Sequence, residues 1–317
     1  MKEGLSFDDV LIIPKYSEIE SRHDVSLETH LGKYSFKIPI IAANMDKICE
    51  SEMAIAMNKL GGLGVIHRFN TIDYQYEEAK KVRLDNEKNV VAVALGIKDL
   101  KERSKKLDSV TDIFVLDIAH GHSKHAVDAV KYLKGEYDKY LVAGNVATKE
   151  GALDLYQAGA DCIKVGIGPG KVCRTRNVTG CGVPQLTALM DVIKDKQYDV
   201  IADGGIRTSG DIVKSLGVGA NAVMLGYLLS GTDETPGEIF FGKHGLKYKI
   251  YRGMSSREVS GRLDVASEGV SIDVLYKGSV KQVINDLVMG VKSGLSYVGA
   301  KNLDELVNKI EFIRIRK

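Results

Sequence analysis

Short runs of apolar and β-branched residues alternate along the chain with longer amphipathic stretches. Each run is apolar almost throughout, which is typical of a strand whose two faces are both buried, as in a parallel sheet covered by helices. The pattern predicts eight such strands: Ile38–Ala42, Leu63–His67, Val90–Leu95, Ile113–Ile118, Tyr140–Asn145, Cys162–Gly166, Val200–Asp203 and Ala222–Leu225.

The stretches between the runs have helical periodicity, and they include Ser51–Lys59, Ser123–Leu133, Lys149–Ala158 and Ser209–Leu216. Thr148 and Thr208 stand just before two of them, where a hydroxyl can cap the first turn of a helix. Strand and helix alternating eight times predict an α/β fold, a single-domain (β/α)8 TIM barrel over residues 1–317. The alternative is an open, doubly wound sheet, but the even spacing of the eight units favours closure.

Three segments depart from the alternation. Residues 1–36 are expected to pack across the barrel without forming a domain. Ile167–Pro184 is a long glycine-rich loop after the sixth strand, and residues 231–278 form an insertion after the eighth, with a hairpin around Leu246–Tyr251. Long loops after barrel strands lie at the carboxyl end of the barrel, where such enzymes have their active sites. We therefore expect the chemistry in these two loops.

The composition removes several classes of function. The 317 residues include 44 Lys+Arg and 42 Asp+Glu, which gives a net charge of +2 and no basic excess for a nucleic-acid backbone. The longest apolar run, Ala222–Leu229, is too short to span a membrane, and the charged N-terminus lacks the apolar core of a signal peptide. A cytoplasmic protein is expected, and its four cysteines, which form no CxxC pair, are expected to be free thiols.

Glycines at the ends of two neighbouring strands predict a phosphate site. The seventh strand ends in Asp203-Gly204-Gly205, and the eighth ends in Leu225-Gly226. In TIM barrels the loops after these two strands commonly bind phosphate through backbone N–H groups, and glycine allows the backbone to approach an anion closely. The alternative is that these are ordinary turn glycines.

The loop after the sixth strand predicts a reactive cysteine. It reads GIGPGKVCRTR, so that Cys173 is flanked by glycines and by Lys171, Arg174 and Arg176. Nearby cations favour the thiolate, which is the nucleophilic form. Cys181 follows in the same loop and is a weaker candidate, whereas Cys162, inside a strand, is expected to be a core residue.

Polar residues at other strand ends indicate recognition of a polar ring. Asp117, Asn145 and Asp203 all end strands and are expected to converge on the mouth of the barrel. His120 and His122 follow the fourth strand, but the strands that would complete a metal site end in Asn145, Gly166 and Gly226. We expect His120, His122 and likewise His67 to contact a ligand or cap a loop, and position alone gives Glu268 little weight.

These motifs together resemble one family. GIGPGKVCRTR, TGCGVPQL, ADGGIRT, VMLG, YRGMSS and SEG are similar to the IMP dehydrogenase/GMP reductase family, and the resemblance extends from LSFDDVLIIP (Leu5–Pro14) to SYVGA (Ser296–Ala300). It implies an oxidoreductase of purine nucleotide metabolism that acts in purine salvage.

Three features resemble the reductases of the family. The stretch IAANMD has Asn44 where the dehydrogenases usually have proline, and the third, fourth and fifth strands follow at ordinary spacing, without room for inserted regulatory domains. Only 13 residues separate Met254 from Glu268, and no Arg-Tyr dipeptide occurs in the chain, whereas the dehydrogenases carry a longer flap with an Arg-Tyr pair that activates water. The alternatives are a dehydrogenase without regulatory domains and a non-catalytic purine-nucleotide-binding barrel.

The resemblance also implies roles for individual residues. The catalytic residues are Cys173, which attacks C2 of the purine, and Thr175 with Glu268, which activate the thiol and protonate departing ammonia. GMP or IMP would be bound by Asn44, Met45, Asp203, Gly204, Gly205, Gly226, Gly253, Met254, Ser255, Ser267 and Gly269. NADPH would be bound by Ser21, Arg22, Arg68, Asp117, Asn145, Gly166, Ser293 and Ser296, part of them from a neighbouring subunit of a homotetramer.

The implied reaction is the reductive deamination of GMP to IMP and ammonia. Cys173 forms a covalent thioimidate-type adduct at C2, and NADPH then reduces that carbon. Carbonyls around Gly166, Gly168 and Cys173 match a potassium site. Two residues depart from the family pattern: Arg174 replaces the usual threonine or apolar residue, and Val265 stands where many reductases carry an arginine near the substrate.

Overall fold

A closed barrel of eight parallel strands forms the centre of the protein. The computed structural model describes residues 3–194, 196–242, 245–256 and 267–315. Its strands are β1 (Val10–Ile12), β2 (Thr29–Leu31), β3 (Tyr34–Phe36), β4 (Ile40–Ala42), β5 (Leu63–Ile66), β6 (Ala92–Leu95), β7 (Ile113–Asp117), β8 (Tyr140–Val146), β9 (Cys162–Val165), β10 (Asp199–Asp203), β11 (Ala222–Leu225), β12 (Phe240–Phe241), β13 (Lys247–Arg252), β14 (Ser271–Leu275) and β15 (Phe312–Arg314). Strands β4 to β11 pair in chain order, and β11 pairs with β4 to close the barrel. The predicted TIM barrel is confirmed.

Helices alternate with the barrel strands and cover them. They are α1 (Ser51–Leu60), α2 (Ile72–Asp85), α3 (Leu100–Leu107), α4 (Lys124–Glu136), α5 (Lys149–Gln157), α6 (Thr175–Thr179), α7 (Gln185–Ile193), α8 (Ser209–Gly217), α9 (Val280–Tyr297) and α10 (Leu303–Lys309). Both predicted caps form: the Thr148 hydroxyl accepts a hydrogen bond from the Gly151 amide at 3.3 Å, and that of Thr208 accepts one from the Asp211 amide at 3.2 Å.

The predicted strands agree with the observed ones, and only their ends differ. Ile38–Ala42 begins two residues too early, because the barrel pairing of β4 starts at Ile40. Ala222–Leu225 matches β11 residue for residue. The apolar pattern locates a buried run, but the last residues of a strand are decided by the backbone pairing with its neighbours.

The chain ends pack on the barrel through two small sheets. Strand β1 pairs antiparallel with β15. The β2–β3 hairpin lies at the amino end of the barrel, where the Thr29 hydroxyl donates to the Asn221 carbonyl at 2.6 Å and the Gly32 amide donates to Asp199 at 2.8 Å. Residues 6–8 instead line a cavity at the carboxyl end. The assignment of the whole chain to one domain stays a prediction.

A three-stranded antiparallel sheet follows the eighth barrel strand. The expected hairpin forms between β12 and β13, and β14, which the pattern did not predict, pairs along β13. The sheet carries Gly253 at the end of β13 and residues 267–270 at the start of β14 to the mouth of the barrel. Within the described ranges, the structure contains no helix long and apolar enough to cross a membrane.

Candidate active site

Three loops meet around Cys173. The Arg174 amide donates to the carbonyl of Glu268 at 2.7 Å, and the Val270 amide donates to the carbonyl of Val172 at 3.1 Å. These bonds pair Cys173 with Gly269 as an antiparallel bridge. The Gly253 amide donates to the Val270 carbonyl at 3.1 Å. Backbone pairing thus holds the predicted nucleophile loop against the end of the insertion.

A hydrogen-bonded chain links the side chains of Cys173, Thr175 and Glu268. The thiol of Cys173 donates to Oγ1 of Thr175 at 3.1 Å, and that hydroxyl donates to Oε2 of Glu268 at 2.6 Å. A thiol proton can therefore pass through one hydroxyl to a carboxylate. Position alone indicated little for Glu268, since a loop glutamate is usually only solvated. It is 93 residues from Thr175, and the β13–β14 pairing brings it there.

A cavity of about 470 Å³ lies on one side of Cys173. It is lined by the predicted nucleotide-binding residues Met45, Asp203, Gly204, Gly205, Gly226, Gly253, Met254 and Ser255, together with Cys173 and Glu268. It is also lined by Lys171, which the sequence argument placed beside Cys173, and by residues that it missed, namely Ser6, Phe7, Asp8, Arg207, Tyr227 and Tyr251. We call this space the nucleotide cavity.

The glycines at its end are required by backbone geometry and by space. Gly204 and Gly205 have φ of 88° and 79°, in the left-handed region that favours glycine. A Cβ at Gly226 would lie 2.7 Å from the hydroxyl of Tyr251 and 3.0 Å from the sulfur of Met45. The absence of a Cβ at these positions lets a ligand approach the backbone closely, and the phosphate site itself stays a prediction.

Two lysines flank the same end: Lys171, which belongs to the Cys173 loop, and Lys277, which the motifs did not single out. The ammonium groups of Lys171 and Lys277 each lie 5.5 Å from the ring centroid of Tyr227, the residue after Gly226. Lys277 also donates to the carbonyl of Leu228 at 3.0 Å, and burial lowers its pKa. Lys171 is exposed and lines the cavity, so its positive charge borders the end that Gly226 and Tyr227 form.

A second cavity, of about 220 Å³, lies on the other side of Cys173. Its lining includes four residues predicted for the cofactor, Arg68, Asp117, Asn145 and Gly166, with Phe69, Gly168 and Thr175. Cys173, Met254 and Ser255 line both cavities. We call this second space the cofactor cavity; the thiol stands between the two.

Lys164 connects the polar residues that converge at the barrel mouth. It projects from β9, is only 1 % exposed, and donates to Asp117 at 2.8 Å, to Asn145 at 2.5 Å and to Asp203 at 2.7 Å. The sequence argument missed it, although a charged residue inside the apolar run CIKVG was a signal that could have found it. Asp117, Asn145 and Asp203 are thus brought together, as expected.

The cluster keeps its charges despite burial. Burial alone would raise the pKa of the Asp117 carboxyl, but the Lys164 ammonium outweighs it and holds that pKa below its usual range. Burial would lower the pKa of Lys164, but the two carboxylates outweigh it and raise that pKa instead. Asn44 hydrogen-bonds Asp117 from the neighbouring loop, which ties a predicted nucleotide residue to the cofactor side.

Other predicted site residues are not brought to Cys173. Ser21 and Arg22 lie at a short helical turn that packs against α9, which carries Ser293 and Ser296, and none of the four lines either cavity in the described part of the chain. Ser267 hydrogen-bonds the Gly269 carbonyl at 3.0 Å, within the strand-entry segment. Val265 lies outside the described residues.

The histidines have protein partners. His122 hydrogen-bonds Asp154 at 2.9 Å, and His67, which is 2 % exposed, hydrogen-bonds Glu50 at 2.9 Å. Among the residues that the structure describes, no three His, Cys, Asp or Glu side chains are grouped as metal ligands. His120 and His122 instead line an apolar cavity of about 350 Å³ that borders Thr175 and Glu268.

The predicted potassium site would use backbone carbonyl oxygens of the Cys173 loop, and oxygen is the ligand type that this ion prefers. Gly166 and Gly168 have φ of 148° and 82°. The Gly166 carbonyl, however, accepts a hydrogen bond from the Asn145 side chain at 2.8 Å, so a cation would share this oxygen. The potassium site stays a prediction.

Comparison with known sequences gives a consistent result over the whole chain. The family model described as "IMP dehydrogenase / GMP reductase domain" matches residues 4–317. The inosine-5'-monophosphate dehydrogenase of Nitrosopumilus maritimus is 35% identical over 460 aligned positions, covering 100% of this chain and 96% of that protein. The enzyme of that name from Cryptosporidium parvum is 36% identical over 371 positions, covering 99% and 92%.

A solved structure is similar over the same extent. The GMP reductase C318A variant of Trypanosoma brucei, in complex with guanosine 5'-monophosphate, superposes with a TM-score of 0.92 at 31% identity, covering 100% of this chain and 96% of that one. The sequence relatives and the structural neighbour therefore carry the names of two different activities.

Proposed function

This chain belongs to the IMP dehydrogenase/GMP reductase family of oxidoreductases, and we propose that within it the protein is a GMP reductase, which converts GMP to IMP and ammonia with NADPH. The family acts on purine nucleotides with a nicotinamide cofactor. The observation that carries the proposal is the position of Glu268. It follows a short loop after Met254 and hydrogen-bonds Thr175, beside Cys173.

The two cavities support a reaction that needs both ligands at once. The nucleotide cavity has glycines and cations at one end and Cys173 at the other, which suits a phosphate and a purine base respectively. The cofactor cavity meets the same thiol from the opposite side. A purine C2 attached to Cys173 would then face the dinucleotide.

In the proposed reaction, the relay of Cys173, Thr175 and Glu268 first takes a proton from the thiol to Glu268. It later delivers a proton from Glu268 to the substrate. The thiol proton passes through the Thr175 hydroxyl to Glu268 as sulfur bonds to C2 of GMP. Glu268 returns a proton, by the same hydroxyl, to the amino group, which leaves as ammonia. A nicotinamide held by Arg68, Asp117, Asn145 and Gly166 would supply a hydride for C2. Cys173 would then leave as the thiolate when the C2–S bond breaks, which releases IMP.

The short loop favours the reductase over the dehydrogenase. Hydrolysis of the adduct requires a positioned, activated water and a flap that replaces the departed dinucleotide. Met254 and Glu268 are separated by 13 residues, without the Arg-Tyr pair that the resemblance assigns to that flap. Reduction requires only that the dinucleotide remain bound while ammonia leaves.

The lack of inserted regulatory domains is weaker evidence for a reductase than the short loop. The alignment with the Nitrosopumilus maritimus dehydrogenase extends over 460 positions, but that with the Cryptosporidium parvum dehydrogenase extends over 371. These two dehydrogenases therefore differ greatly in how much inserted sequence they have relative to this chain. The loop between Met254 and Glu268 is the stronger discriminator.

Cofactor, ion and assembly complete the proposal. Arg68, Asp117, Asn145 and Gly166 would hold the nicotinamide half of NADPH, and potassium would bind the Cys173 loop carbonyls. Ser21, Arg22, Ser293 and Ser296 would contact the dinucleotide of a neighbouring subunit in a homotetramer, since they lie apart from the Cys173 site of their own chain.

Absorbance at 340 nm tests the proposal directly. Purified protein should consume NADPH in the presence of GMP and release IMP and ammonia in equal amounts, faster in potassium than in sodium buffer. Steady conversion of IMP and NAD to XMP, with no IMP formed from GMP and NADPH, would identify a dehydrogenase. Nucleotide binding without turnover in either direction would identify a non-catalytic barrel.

A further inference from the structure

Lys164 is a buried cation with three acceptors, and only 1 % of its surface is exposed. An ammonium group has three N–H donors, and here they are used by Asp117, Asn145 and Asp203 at 2.8, 2.5 and 2.7 Å. The hydrogen-bonding capacity of the group is therefore filled within the protein, and Lys164 itself lines neither cavity.

The acceptors belong to different cavities. Asp203 lines the nucleotide cavity and Asp117 lines the cofactor cavity. Asn145 links the two cavities a second time, because its side-chain amide donates to Asp203 at 2.9 Å and to the Gly166 carbonyl at 2.8 Å. Lys164 is thus a direct link between one carboxylate on each side of Cys173.

We propose that Lys164 is a positioning residue that couples nucleotide binding to cofactor binding. The proposal rests on the proposed function only in that one cavity takes a purine nucleotide and the other a dinucleotide. A nucleotide hydroxyl bound to Asp203 fixes that carboxylate, and Lys164 transmits the fixed position to Asp117. The second ligand then meets an ordered carboxylate and binds more tightly, which is positive coupling.

Ligand binding without turnover tests this coupling. In full-length protein carrying Cys173→Ala, calorimetry gives the Kd of NADPH alone and with saturating GMP, and the ratio of the two is the coupling. We expect a ratio of at least about 5 in the Lys164 parent, within the usual span of about 5- to 150-fold. Lys164→Gln should bring the ratio to about one, and Lys164→Arg, which keeps the charge, should restore part of it.

A second buried lysine gives the matched control. Lys249 is 4 % exposed and donates to the backbone carbonyls of Thr232 and Thr235 at 3.0 and 2.6 Å, with no carboxylate at its ammonium among these contacts. Lys249→Gln should lower the unfolding temperature but keep the coupling ratio. If Lys164→Gln does not fold, Asp117→Asn removes one carboxylate from the link and should also reduce the ratio.

A coupling ratio of one in the parent protein would overturn the proposal. It would also be overturned if the Lys164→Gln protein bound both ligands more weakly by equal factors and kept the coupling ratio of the parent. The same measurements with IMP and NAD separate this result from the proposed function. Coupling with IMP and NAD, but no binding of GMP and NADPH, would refute the reductase and leave the role of Lys164 intact.

Discussion

The Thr175 hydroxyl donates a 2.6 Å hydrogen bond to the carboxylate of Glu268 while it accepts one from the Cys173 thiol. Thr175→Ala removes this link without adding bulk, so turnover should fall by about 10²- to 10⁴-fold, the usual contribution of a positioned acid–base group. Thr175→Ser keeps the hydroxyl and should retain most activity. Equal rates for the alanine and serine variants in the NADPH assay would remove Thr175 from the relay.

Glu268→Gln should separate deamination from hydride transfer. The amide keeps a hydrogen bond to Thr175 but cannot take the thiol proton or return it to the leaving amine, so GMP turnover should stop. IMP carries no amino group at C2, so label exchange between C2 of IMP and the nicotinamide should persist at a reduced rate. If GMP turnover and label exchange were both lost, Glu268 would instead act by holding the whole loop in place.

Cys173→Ala should abolish turnover and leave nucleotide binding largely unchanged, because the residues proposed to bind the phosphate are the strand-end glycines and not the Cys173 loop. Alkylation of the unmodified protein followed by mass spectrometry should label Cys173 and the exposed Cys181. Cys49 and Cys162 should stay unlabelled, since they are buried and burial raises the pKa of each thiol. Saturating GMP should protect Cys173 but not Cys181; substantial turnover by the alanine variant would refute covalent catalysis.

Gly226→Ala should weaken nucleotide binding selectively. Its Cβ would lie 2.7 Å from the Tyr251 hydroxyl, so the phosphate end of the cavity must shift. We expect KM for GMP to rise about tenfold or more, with a smaller change in kcat, since the contact is remote from C2. Gly210→Ala is the control: the nearest atom to its Cβ lies at 3.6 Å, and it occupies a helix, so KM should not change.

The buried cluster gives a pH dependence with a definite sign. The pKa of Asp117 is held below its usual range because the Lys164 ammonium outweighs burial, so its contribution to stability is present above about pH 4 and is lost as pH falls through the folded pKa. In Lys164→Gln the two carboxylates lack their cation, and the folded protein should take up a proton. Its unfolding free energy in urea should therefore rise as pH falls from about 8 to 5, whereas in the parent this cluster adds no slope over that range. The same slope in both proteins would contradict this account.

Much of this organisation follows from local pattern. Continuous apolar runs identify strands buried on both faces, and their eightfold alternation with helices leaves a closed barrel as the simplest arrangement. Glycines at the ends of the seventh and eighth strands, and Cys173 in a glycine-flanked loop, indicate the carboxyl face and the anion end before any contact is known. These signals are local because strand burial and backbone freedom depend on adjacent residues.

Only the tertiary structure decided which distant groups meet. Glu268 looks like an ordinary loop acid in the sequence, and it reaches Thr175 because β14 pairs with β13 and residues 268–270 pair with the Cys173 loop. Lys164 occupies an apolar run, and the closure of the barrel brings it to acceptors on β7, β8 and β10. Hydrogen bonds between residues so far apart depend on distances that the local pattern does not give. The barrel could therefore be predicted from the pattern alone, the set of Cys173, Thr175 and Glu268 only from the family resemblance, and the link through Lys164 from neither.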